Sequence, residues 1–152
     1  MKELRCLSLD YSIASTAERD AAKGMWTALP GLKERGIILE AVPVATCNRT
    51  ELYLRLPPGG TVPKVLADPH ARVFSGEEAV LHLLRVLLGL ESMACGESSI
   101  VGQIRDSYGG AADLCGPWLH RMFQGAFRMA KLLRTCYHPG REPSVPWLMA
   151  ER

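Results

Sequence analysis

The sequence predicts an α+β fold, a split βαβ (ferredoxin-like) antiparallel sheet lobe followed by a helical lobe. Three observations carry that expectation. Short apolar or alternating runs at 4–9, 37–44 and 51–56 read as strands, with a longer helical pattern between the first two. Turn formers such as Pro57-Pro-Gly-Gly60 separate them. From Gly76 onward the apolar spacing changes from strand-like to helical and stays so to about residue 133.

Taken in order, Leu4 to Leu9 is apolar-rich and reads as a buried strand. Ala14 to Leu29 has Ala14, Ala17, Ala21, Met25 and Ala28 at helical spacing, and Pro30-Gly31 is expected to stop that helix. Ile37 to Val44 is the second strand, and Pro43 within it points to an edge position or a bulge. In Glu51 to Leu56, Leu52, Leu54 and Leu56 share one face, and Glu51, Tyr53 and Arg55 share the other. A short helix over Val62 to Ala67 and a last strand at Arg72 to Phe74 complete the order βαββαβ.

In the helical lobe, Glu77 to Leu88 carries Glu78, His82 and Arg85 on a polar stripe and Val80, Leu83, Leu84 and Leu87 on the apolar face. Gly89 ends this helix. Glu97 or Ser98 is expected to cap the next, whose stripe is Ile100, Ile104, Tyr108 and Ala111. Gly116-Pro117 breaks the pattern, and a third helix from about Trp118 to Leu133 buries Leu119, Met122, Phe123, Ala126, Ala130 and Leu133. Past Tyr137, Pro139, Gly140, Pro143 and Pro146 make an irregular tail.

Composition narrows the function classes. The 152 residues suit one domain or two small lobes sharing a core. The chain is 47% hydrophobic and 22% charged, ordinary globular values, and a net charge of +2 does not announce a nucleic-acid binder. Five cysteines, an odd number without a C-x-x-C pair, argue for free thiols in a reducing cytoplasm, not a disulfide framework or a zinc site. The start, Met-Lys-Glu-Leu-Arg, lacks a signal-peptide apolar region, and no run approaches the ~18 apolar residues of a membrane span.

Chemistry concentrates at Val44-Ala-Thr-Cys-Asn-Arg-Thr-Glu-Leu-Tyr53. Here a small polar loop joins two strands. A loop cysteine beside a cation is a candidate thiolate nucleophile, and Arg49 is a candidate bidentate clamp for a carboxylate. The plainer readings are an idle cysteine and an Arg49 salt bridge to Glu51.

Ala45-Thr-Cys-Asn-Arg-Thr-Glu-Leu-Tyr53 resembles the signature of glutamyl-tRNA reductase. A second stretch agrees in order and spacing: Ala79-Val-Leu-His-Leu-Leu-Arg-Val-Leu-Leu-Gly-Leu-Glu-Ser-Met-Ala-Cys-Gly-Glu97, followed by Ile100-Val-Gly-Gln103. The resemblance runs from about residue 3 to Thr135. It implies a catalytic domain over residues 1–138, with 139–152 a tail or the start of a linker.

What the resemblance implies about chemistry is specific. Cys47 would attack the ester joining glutamate to tRNA, and the resulting thioester would be reduced by NADPH to glutamate-1-semialdehyde for tetrapyrrole synthesis. Thiol chemistry suits this, since a thioester accepts hydride more readily than an ester. His82 would be the second catalytic residue, with imidazole suited to proton transfer near pH 7. Thr46, Asn48, Arg49, Ser92, Glu97, Ser98, Ser99 and Gln103 would bind the substrate, Arg49 taking the glutamate side-chain carboxylate. Ser99 and Gln103, at i and i+4, share a helix face. Glutamyl-tRNA is the implied partner, and glutamate-1-semialdehyde aminomutase, the next enzyme, a further one. A monomer is expected.

The chain also departs from the family. Asp10-Tyr-Ser-Ile-Ala-Ser15 stands in place of an Asn-His-Lys/Arg-Thr-Ala-Pro segment, and Gly96-Glu-Ser-Ser-Ile100 in place of Gly-Glu-Pro-Gln-Ile. No strand leads into a G-x-G-x-x-G motif, so NADPH is not expected to bind these residues, which would perform at most the thioester or esterase half. Arg121, Arg128 and Lys131 fall near one face of the third helix with Gln124, as a phosphate-contacting surface or simply a solvated one. Two other functions stay open on these grounds: a degenerate relative serving as a tRNA- or protein-binding regulatory module, and an unrelated cysteine hydrolase using Cys47 and His82.

Overall fold

A computed structural model describes residues 1–91 and 99–137, without the side chains of Ser99 and Tyr137. Strand β1 (Leu4–Asp10) lies inside a four-stranded sheet of order β2-β3-β1-β4, with β2 (Glu40–Ala45), β3 (Arg49–Arg55) and β4 (Arg72–Ser75). Every pairing is antiparallel, with Leu7 opposite Leu52 and Val73, and Val42 opposite Tyr53. The connectivity and strand order are those of the expected split βαβ, although its second helix is a single 3-10 turn at Lys64–Leu66. β2 is an edge strand, which is where a proline lacking its N–H does least harm, and Pro43 sits there.

Between β1 and β2 the chain forms α1 (Thr16–Gly24), a 3-10 turn (Met25–Ala28) and α2 (Leu29–Glu34). Ser15 and Glu18 make a capping box at the start of α1. Pro30 does not stop a helix as expected. It sits in the first turn of α2, where a missing N–H is no loss, and the helix ends instead before Gly36, whose φ is 67°. The strand expected from Ile37 starts only at Glu40. The buried face of α1 is Arg19 and Ala22, while Ala17 and Ala21 are exposed. Alanine spacing misplaced that face because alanine is equally at home on either side of a helix.

α1 and α2 cover one face of the sheet, packing on Leu7, Leu9, Leu52, Leu54 and Leu56. α3 (Glu77–Leu87), α4 (Ser99–Gly110) and α5 (Pro117–Tyr137) cover the other, around Leu4, Cys6, Val42, Val44 and Tyr53. β3 is therefore buried on both faces. The alternation seen in 51–56 is present, but its polar side meets a second core layer instead of solvent. Ile100 and Ile104 of α4, and Ala111 just past its end, are buried as expected. The expected cap at Glu97 or Ser98 and the tail after residue 138 lie outside the described residues.

Gly116 and Pro117 open α5, which begins at the proline. The buried Glu40 carboxylate accepts the N–H groups of Trp118 at 3.2 Å and Leu119 at 2.7 Å, and pairs with Arg55 at 3.1 Å. An acid at this end of a helix satisfies orphan donors and opposes the dipole. The approach is close: a Cβ on Gly116 would lie 2.5 Å from Glu40 Cδ, whereas one on Gly125 in mid-helix would meet nothing within 4 Å. Gly116→Ala is expected to lower unfolding free energy by about 1–3 kcal/mol. Gly125→Ala is expected to be neutral or to add roughly 0.5–1 kcal/mol. Urea denaturation of the two variants beside the wild type checks both.

Candidate functional site

Cys47 and Asn48 form the tip of the β2–β3 hairpin, beyond the last ladder pair Ala45 with Thr50. Two-residue hairpin turns usually need positive φ, and among the described residues no residue other than glycine has it. The tip is instead held by side chains. Thr46 Oγ1 accepts the N–H groups of Asn48 at 3.3 Å and Arg49 at 3.2 Å, and Thr46 N–H donates to the Arg49 carbonyl at 2.9 Å. Thr46 is thus the residue that closes the turn.

Helices pin the tip from two sides. From α4, Gln103 Oε1 accepts the Cys47 N–H at 3.0 Å, and Ser107, one turn on, bonds both N–H and carbonyl of Ala45 at 3.2 Å. From α1, the Arg19 guanidinium reaches the Cys47 carbonyl at 3.3 Å while holding the Ala14 carbonyl at 2.7 Å and Thr16 Oγ1 at 3.2 Å. The Cys47 side chain itself is exposed. The segment that departs from the family abuts this loop: Tyr11 N–H donates to the Asn48 carbonyl at 2.9 Å, and Asp10 is closed onto Ser12 and onto Arg72 at 3.1 Å.

Behind the tip, the α3-facing side of the sheet carries a buried polar network. Glu51 Oε1 meets Ser8 Oγ at 3.0 Å, Arg49 Nη1 at 3.0 Å and His82 Nε2 at 2.7 Å, and Oε2 accepts the Tyr53 hydroxyl at 2.9 Å. Burial alone would push the Glu51 carboxyl up. The hydrogen bond and charge of His82, then the charge of Arg49 and the Tyr53 hydroxyl, outweigh it and hold the group down at about 2. An ionised carboxylate only accepts, so the His82 hydrogen on that side is on Nε2.

Two expectations change here. His82 is not on a solvated stripe. It is 2% exposed, stacked on Phe74 with centroids 4.1 Å apart. A histidine at a polar position of a helix is buried when a carboxylate waits opposite it, and β3 supplies one. Arg49 is not an open clamp. It is 1% exposed, bonded to Glu51 and to the Glu91 carbonyl, so the salt bridge read as its plainer role is the one formed. Ser92, Glu97 and Ser98 lie outside the described residues, as does the Ser99 side chain. The structure therefore brings together Thr46, Cys47, Asn48 and Gln103 at the tip, and places Arg49 and His82 in the core beneath.

Arg19, Ser107, Glu51, Tyr53 and Ser8 were not singled out from sequence as site residues. Ser107 had a signal, since it follows Gln103 by four on the same helix face. Arg19, with Asp20, stands where the family has Arg-Glu, but nothing local showed its partner, 28 residues away.

Cys6 Sγ, a Glu51 oxygen and a His82 nitrogen lie within 4.8 Å of one another. They do not fit a cation. Arg49 already holds the carboxylate, and burial, more than the Glu51 charge, pushes the Cys6 thiol well up and away from the thiolate a metal needs. NADPH fits no better. The sheet is antiparallel throughout, and Gly76, set between β4 and α3, leads into Glu77 and Glu78, which repel a pyrophosphate. On α5, Arg121, Arg128 and Lys131 are exposed along one face, while Arg134 bonds the Leu87 carbonyl at 2.7 Å.

These features define a class: an α+β domain with helices on both faces of its sheet that presents an exposed cysteine on a hairpin tip anchored by its own helices. Residues 8–137 match the family model described as glutamyl-tRNAGlu reductase, N-terminal domain, and the chain belongs to that family. It is 35% identical to the glutamyl-tRNA reductase of Halorhodospira halophila over 160 residues, covering 92% of this chain and 35% of that protein. It is 37% identical to that of Pseudomonas aeruginosa over 155 residues, covering 90% and 37%. Its fold matches the solved glutamyl-tRNA reductase of Methanopyrus kandleri with a TM-score of 0.72 at 29% identity, over 88% of this chain and 35% of that one. The chain thus spans about a third of the length of these relatives.

The depressed Glu51 pKa has a sign. Because the folded value lies below the unfolded one, its stabilisation is present above about pH 5 and is lost as pH falls towards 2. Unfolding free energy of the wild type should therefore fall steeply between pH 5 and pH 3. Glu51→Gln, less stable at pH 7, should show a visibly shallower fall, measured by urea titrations at stepped pH.

Proposed function

We propose that this chain performs the acyl-transfer half of a glutamyl-tRNA reductase reaction. The observation that carries the reading is the exposed Cys47 thiol on a tip whose backbone is fixed by Arg19 and Gln103, within a domain of this family. The Cys47 sulfur attacks the ester carbonyl of glutamyl-tRNA, the bond to the ribose oxygen breaks, and the glutamyl group stays on the enzyme as a thioester. NADPH, when bound, supplies the hydride that converts such a thioester to the aldehyde. Since the residues described do not fit it, no step here runs through it, and in its absence water releases glutamate slowly.

Thr46 holds the turn and Asn48 presents its side chain at the tip. Arg49 and His82 act in this reading from beneath, through the Glu51 network, and reach substrate only if they turn out of it. Ser92, Glu97, Ser98 and Ser99 are proposed to close the substrate side of the pocket. The exposed row of Arg121, Arg128 and Lys131 offers cations to the tRNA backbone. The proposed catalytic unit is residues 1–138, monomeric and cytoplasmic. Glutamate-1-semialdehyde aminomutase, which takes the aldehyde formed once such a thioester is reduced, is proposed as a further partner. No described helix is long and apolar enough to cross a membrane.

Single-turnover reaction with glutamyl-tRNA labelled in the glutamate, followed by acid trapping, tests the proposal. Label is expected on the wild-type chain and absent from Cys47→Ser. A folded wild-type chain that takes up no label would overturn it in favour of a binding module.

A further inference from the structure

Acyl transfer to a thiol passes through a tetrahedral intermediate whose carbonyl oxygen becomes an anion, and a site that accelerates the step aims hydrogen-bond donors at that oxygen. In many cysteine and serine acyl-transfer sites a backbone N–H beside the nucleophile does this. Here those groups are already engaged. The N–H of Thr46 goes to the Arg49 carbonyl, that of Cys47 to Gln103 Oε1, and those of Asn48 and Arg49 to Thr46 Oγ1. The Arg19 guanidinium is committed to three oxygens. Among the described residues, the donor left at the tip is a side chain.

Gln103 fits. A backbone N–H only donates, so the atom of Gln103 facing Cys47 is its oxygen, and the amide nitrogen is the other terminal atom. That nitrogen is held beside the cysteine by the same bond, and among the described residues it has no acceptor. Its carrier is rigid: α4 buries Ile100 and Ile104 against the core and is tied to the same strand end by Ser107. Asn48 also has an amide at the tip, yet no hydrogen bond fixes its side chain among the described residues.

We propose that the Gln103 side-chain amide is the oxyanion donor for acyl transfer to Cys47, an inference that rests on the acyl-transfer reading above. The Cys47 thiol gives its proton to water, and the sulfur–carbon bond forms as the carbonyl π pair moves onto oxygen. The Gln103 N–H receives that charge. The pair then returns, the bond to the leaving oxygen breaks, and that oxygen takes a proton from water.

The test separates this role from simple loop support. Alkylation of Cys47 by iodoacetamide is a displacement that forms no oxyanion, whereas acylation by p-nitrophenyl acetate forms one. Each Cys47 rate is taken as the difference from Cys47→Ser, which removes the contribution of the other thiols. Gln103→Ala removes the whole amide. Gln103→Glu keeps an oxygen for the Cys47 N–H and puts an anionic oxygen in place of the donor. In both variants the ratio of acylation to alkylation is expected to fall on the order of 100-fold. An unchanged ratio in either variant would overturn the assignment and leave Gln103 as a support for the loop. Because p-nitrophenyl acetate needs no tRNA, a fallen ratio in a chain that takes no label from glutamyl-tRNA would sink the reductase reading while leaving the Gln103 assignment standing.

Discussion

The ionised Glu51 carboxylate in the middle of the sheet is the constraint around which the rest is arranged. A charge with no exposed surface costs several kcal/mol to bury, and it is tolerated only when its lone pairs are filled. Four side chains fill them: Ser8 from β1, Arg49 and Tyr53 from β3, and His82 from α3. The network thereby joins two neighbouring strands to the first helix of the second layer. A one-residue slip of β3 would put Thr50 or Leu52 against His82 and send Glu51 into the leucine layer, so register and polar network enforce one another.

The hairpin tip inherits that register. Cys47 stands four residues before Glu51 on the same hairpin, and the charged layer beneath fixes where the strand emerges. Above it the loop is held by Thr46 alone within the hairpin and by Arg19, Gln103 and Ser107 from helices on opposite faces of the sheet. The thiol is exposed, but the backbone carrying it is not free to move. That combination, an accessible sulfur on a fixed backbone, is what nucleophilic catalysis asks of a protein.

Much of this was legible from sequence, and the reasons are local. Period-two alternation located β3, the change to helical spacing located α3 to α5, and Pro43 marked β2 as an edge. The family signature singled out Cys47, Thr46 and Gln103, which do meet. What sequence could not show was pairing at long range. His82 looked solvated because its partner, Glu51, is 31 residues away. Arg49 looked available for a ligand because nothing local said that both faces of β3 are covered. Nothing local announced the burial of Arg19, since the oxygens that justify it belong to Ala14, Thr16 and the hairpin tip. Pro30 misled because a proline reads as a stop unless the chain is known to restart a helix beneath it.

The central claim is that the Cys47 loop is held before any substrate arrives. Amide hydrogen exchange of Cys47, resolved residue by residue by NMR in the free protein, tests it most directly. A bond to Gln103 on a packed helix predicts protection well above that of ordinary turn amides such as those of Gly59 and Gly60, and loss of that protection in Gln103→Ala. A Cys47 amide that exchanges as fast as an open turn in the folded wild-type chain would contradict the account.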